Sequence, residues 1–139
     1  MPPSLPAAAS HGAPPSLDDL AVLAEAALAA MPPELVAMVG DVALAVEEFP
    51  DEETEAEMEL DSPFDLLGLY RGRPLTERSV SDSGTLPDRI VLYRRPILDH
   101  WCETGEDLAH LVRHVLIHEI GHHFGLSDAD MERLEAETP

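Results

Sequence analysis

The stretch TGEDLAHLVRHVLIHEIGHHFGLSD, residues 104–128, decides the fold. Leu108, Leu111, Val112, Val115, Leu116, Ile120 and Phe124 recur at the three- and four-residue intervals of an α-helix and cover a broad arc of it. A helix apolar over so wide an arc is largely buried, so this one is expected to run through the middle of the domain. Thr104 followed by Asp107 has the spacing of a capping box at its start, and Gly125 is a natural stop at its end.

Inside that helix stands His118-Glu119-Ile120-Gly121-His122. A helix advances about 100° and 1.5 Å per residue, so His118 and His122 lie one turn apart on one face, where both imidazoles can grip one cation. Glu119 sits on the flank of that face, placed to reach a water on the ion rather than the ion itself. A zinc ion that keeps one position open for water needs a third protein ligand, and Asp128 lies just beyond His122. On an unbroken helix Asp128 would point roughly 240° away from His122. Gly125 stands between them and can adopt the left-handed conformation that turns a chain back. The expectation is therefore one zinc ion on His118, His122 and Asp128, with Glu119 as general base.

The remaining histidines fit less well. His110, His114, His118 and His122 recur every four residues, yet His114 and His122 are about 12 Å apart along the axis and cannot share an ion. His114 is read as a supporting or surface group, His123 as facing solvent or bonded to the chain, and His100 as lacking any ligand spacing. Cys102 is read as a small buried hydrophobe and Met131 as core. Tyr70, Tyr93 and Arg95 are candidates to stabilise an oxyanion, with nothing to choose among them.

Working outward, Ser16 caps an expected helix whose apolar positions run from Leu17 to Met31 and which Pro32 and Pro33 stop. A short helix over Pro33 to Val39 precedes an apolar strand within Asp41 to Phe49. The acidic run Asp51 to Asp61 reads as a solvated loop, Ser62-Pro63 as the start of a short turn, and Leu69 to Arg71 as a brief extended piece. Thr76 to Asp88 reads as a surface loop, Arg89 to Arg94 as an edge strand ended by Pro96, and Ala129 to Glu137 as a charged closing helix.

With 139 residues the chain fits one domain, and 13 prolines crowd partly into residues 1–16, expected to be a disordered Pro/Ala-rich tail ahead of a folded unit over 17–139. Acidic residues outnumber basic ones 28 to 8, and a formal charge of −20 repels phosphate backbones and anionic membranes. One cysteine permits no internal disulfide, and no basic leader or spanning apolar stretch is visible, so a cytoplasmic protein is expected. A monomer is expected, and the metal-and-base motif carries the further expectation of a peptide or protein substrate.

HEIGHHFGLSD, preceded by LPDRIVLYRRP and by DLLGLYRG, resembles the bacterial minimal zincin-like metallopeptidases. Three separated segments agree in order. The resemblance runs from about Pro32 to Glu135 and implies a compact α+β fold, a small mixed sheet packed on the active-site helix, with metal on His118, His122 and Asp128 and with Glu119 catalytic. It implies no particular substrate, and the Pro-rich N-terminus departs from its pattern. The rival reading is a non-catalytic, metal-containing module that binds peptides or proteins on the same fold; an intact Glu119 argues against it, because a structural site needs no base.

Overall fold

The computed structural model describes residues 13–72 and 88–137. Helix α1 (Leu17–Ala29) begins at Ser16, whose hydroxyl accepts from the Asp19 N–H while the Asp19 carboxylate accepts from the Ser16 N–H. This reciprocal cap satisfies two donors that a helix start otherwise leaves bare. Helix α2 (Pro33–Val39) follows, with proline at its first position, where no N–H is needed. Strand β1 is Val42–Glu47.

The acidic run is not a loop throughout: Glu52–Glu57 form helix α3. Asp51 caps it by accepting from the Thr54 N–H at 2.8 Å, and Glu52, Glu53 and Glu55 crowd its first turn, where the helix dipole favours negative charge. Charge count pointed to loop; charge position points to helix. A 3-10 turn at Pro63–Asp65 leads into β2 (Gly68–Arg71), and β3 is Asp88–Tyr93. All of the expected Thr76–Asp88 loop except Asp88 lies outside the described residues, as does the tail over 1–12.

The sheet has the order β1-β3-β2. β3 pairs in parallel with β1, Leu44 opposite Ile90 and Val46 opposite Leu92, and antiparallel with β2, Tyr70 opposite Ile90. The edge assignment for this strand is therefore wrong: β3 is central. Ile90 and Leu92 join the main core on one face, while Val91 and Tyr93 are buried on the other, and a strand covered on both faces reads as a continuous apolar run. Pro96 does not mark an edge. It sits in the first turn of helix α4 (Arg94–Thr104), an element the sequence reading missed, where a proline removes no helical hydrogen bond.

Helix α5 (Leu108–His123) packs against the core face of the sheet beside α1, and buries Leu111, Val112, Val115, Leu116, Ile117, Ile120 and Gly121. Its cap is Asp107, which accepts from the His110 N–H at 3.0 Å, rather than Thr104. Helix α6 (Asp128–Glu137) closes the chain, with Met131 and Leu134 buried as core. The architecture is α+β, a small mixed sheet against a buried central helix, as expected. No single helix among the described residues is long and apolar enough to cross a membrane.

Candidate metal centre

The centre is built on the α5–α6 hairpin. Gly125 has φ +74°, the left-handed conformation that an L side chain resists. The Leu126 N–H reaches the Gly121 carbonyl at 2.8 Å, and the Gly125 N–H reaches the His122 carbonyl at 3.3 Å. These two bonds make a Schellman turn, which stops α5 and reverses the chain where the sequence placed the break. Ser127 then caps α6, its hydroxyl accepting from the Asp130 N–H at 3.1 Å.

Gly121 sets how closely the two helices approach. A Cβ there would collide with Sδ and Cγ of the fully buried Met131, so the hairpin closes only because the side chain is a hydrogen. From that contact α6 runs back along α5, bringing Glu135 opposite His114 and His118. Asp128 opens α6 and is exposed, seven residues and so about 10 Å along the axis from Glu135.

His118 and His122 lie side by side on α5 with ring centroids 5.7 Å apart. His122 is exposed, whereas the His118 Nε2 atom is buried and has no hydrogen-bond partner among the described residues. Burial, followed by the neighbouring His114, holds the His118 imidazole below its ordinary pKa and so favours the neutral ring that a metal requires. A buried imidazole nitrogen that makes no hydrogen bond, with the Glu135 carboxylate 3.6 Å away and a second imidazole beside it, fits a cation well.

Glu119, on the flank of the same helix, meets the sheet. It accepts from the backbone N–H of Tyr70 on β2, and burial pushes its carboxyl up to about 7 despite that bond. The Tyr70 ring stacks on His123 at 4.0 Å, and its hydroxyl donates to Asp88 at 2.9 Å. An open cleft beside this group is lined by Glu57, Met58, Leu69, Tyr70, Arg71, Gly72 and His123. Of the other oxyanion candidates, Tyr93 is buried on the far face of the sheet and Arg95 lies over the Phe49 ring.

The sequence-predicted donors are not all drawn together. Among the described residues, the group of three whose ligand atoms lie within 4.8 Å of one another is His114, His118 and Glu135, without His122 or Asp128. Glu135 escaped the sequence reading, although its spacing from Asp128 puts both on one face of α6 with Met131 between them. His100 contacts Glu106 at 3.6 Å, away from this group. Cys102 is exposed rather than buried: the core side of α4 is taken by Pro96, Ile97 and Leu98.

A helix carrying H-E-x-x-H, packed on a small mixed sheet and turned back by glycine, defines the zincin class of metallopeptidase fold. The chain matches the zincin-like metallopeptidase family over residues 39–138 and belongs to it. No curated protein matches the chain.

Proposed function

We propose that the protein is a zinc-dependent peptidase in which His118, His122 and Asp128 hold the metal and Glu119 is the general base. The observation that carries this reading is the buried His118 Nε2, which makes no hydrogen bond, beside His122 on the H-E-x-x-H helix. His122 and Asp128 are both exposed, so neither side chain is locked into the core. Zinc in that set supplies Lewis acidity and lowers the pKa of a water it binds.

The chain's own residues do the rest. Glu119 takes a proton from the water that attacks the peptide carbonyl and returns it to the leaving nitrogen. The bond from the Tyr70 N–H fixes its orientation. Because β3 is paired on both sides, an extended substrate cannot add to it; among the described residues, the free edge beside the open cleft is β2, whose Tyr70 N–H is already given to Glu119.

Glu119→Gln is expected to retain zinc and to lose at least about 100-fold in the cleavage of a peptide library that the wild type cleaves in a chelator-sensitive way. Undiminished cleavage by Glu119→Gln would refute the assignment. Zinc bound by the wild type with no chelator-sensitive cleavage would favour the non-catalytic binding module.

A further inference from the structure

His118 is flanked on both sides. Toward the end of α5 lies His122; toward its start lies His114, whose ring centroid is 4.0 Å from that of His118. Facing these two rings, α6 presents Glu135, with one carboxylate oxygen 2.6 Å from His114 Nδ1 and the other 3.6 Å from His118 Nε2. The first contact is a hydrogen bond, which an ion would replace; the second distance is too long for one. It is close to the spacing of two ligands on one ion: in a tetrahedral zinc site with bonds of about 2.1 Å, neighbouring ligand atoms are about 3.4 Å apart.

Access and chemistry agree with this geometry. The Glu135 side chain is 17% exposed and that of His118 26%, which limits water around them, while His114 at 44% leaves the group open to solvent. Two imidazoles and one carboxylate are zinc donors, and an ion here would bond the His118 Nε2 atom, which makes no hydrogen bond.

We propose that His114, His118 and Glu135 form a second position for a divalent transition metal, sharing His118 with the H-E-x-x-H set. The proposal rests on the reading of His118 as a ligand given above. One Nε2 serves one ion, so the two positions exclude each other, and an ion on His114 and Glu135 withdraws His118 from the catalytic set. The hairpin thus holds two overlapping metal positions along one helix face, and occupancy of the second switches the first off.

Co2+ is the probe, followed by its visible absorption and by calorimetry on the full-length protein. His122→Ala removes a ligand from the catalytic set and leaves the second position whole, so it should still bind one Co2+ per chain. Adding Glu135→Gln to it should weaken that binding at least ten-fold. The wild type should bind one ion, not two. Should His122→Ala fold poorly by circular dichroism, His122→Asn, too short to reach the ion, takes its place. The proposal is overturned if the His122 variant binds no Co2+, if its binding is indifferent to Glu135→Gln, or if the wild type binds two ions. Failure of the peptidase reading shows separately, as a wild type without chelator-sensitive cleavage, and leaves these titrations interpretable.

Discussion

Glu119 is an ordinary glutamate in an unfolded chain, with a pKa near 4.5, and burial against β2 raises it to about 7 in the fold. Below pH 4.5 both states carry the proton, and the preference of the fold for the neutral acid contributes in full. As pH rises through 7 the folded carboxyl must ionise, and that contribution, at most about 3 kcal/mol, is lost. Metal-free Glu119→Gln is therefore expected to match metal-free wild type near pH 4 and to exceed it by up to that amount at pH 8, measured by urea unfolding. Parallel stability profiles for the two proteins would show that Glu119 is not desolvated. At Gly125 the strain is of the backbone alone: no atom lies within 4 Å of an added Cβ, but φ is +74°. Gly125→Ala should cost about 1 to 2 kcal/mol of unfolding free energy, and a neutral result would mean that the turn relaxes.

Among the elements, the α5–α6 hairpin governs the site, and Gly121 governs the hairpin. Gly121→Ala pushes Met131 away, at an expected cost of about 1 to 3 kcal/mol. It should also weaken zinc binding, because Asp128 and Glu135 ride on the same helix; calorimetry showing unchanged affinity would separate the hairpin from the site. Much of this was legible in the sequence. The period of Leu108 to Phe124, the pair His118 and His122, and the glycine at 125 each encode a local rule, and local rules survive in a single chain. What escaped was relational. The apolar run Ile90 to Tyr93 signals burial on both faces, but Pro96 nearby suggested an edge, and only the pairing partners show that a new helix begins there. Asp51 to Glu57 carries a helix signal in its cap, hidden beneath its charge. Glu135 became a candidate ligand only once the depth at which α6 seats on Gly121 was known.

For the whole molecule, the formal charge of −20 sets the background. Among the described residues, Arg133 bridges Glu34 and Glu137, Arg71 meets Glu57, and Arg94 meets Glu48 while donating to the Pro15 carbonyl at 2.7 Å. Pairs at the surface contribute little, and with 28 acidic against 8 basic residues repulsion among carboxylates is expected to outweigh them. The melting temperature at neutral pH is expected to rise as salt goes from about 10 mM to about 150 mM, where the screening length contracts to about 8 Å. A fall would mean that attractive pairs dominate. A negative field of this kind attracts divalent cations, which is the sign a metal-binding reading needs.

The most direct measurement is anomalous diffraction at the zinc absorption edge from crystals of the zinc-loaded protein. The account predicts one principal peak within about 2.0 to 2.2 Å of His118 Nε2, an imidazole nitrogen of His122 and a carboxylate oxygen of Asp128, with Glu119 near the ion but not bonded to it. An ion with no bond to Asp128, whose carboxylate faces solvent, would contradict it.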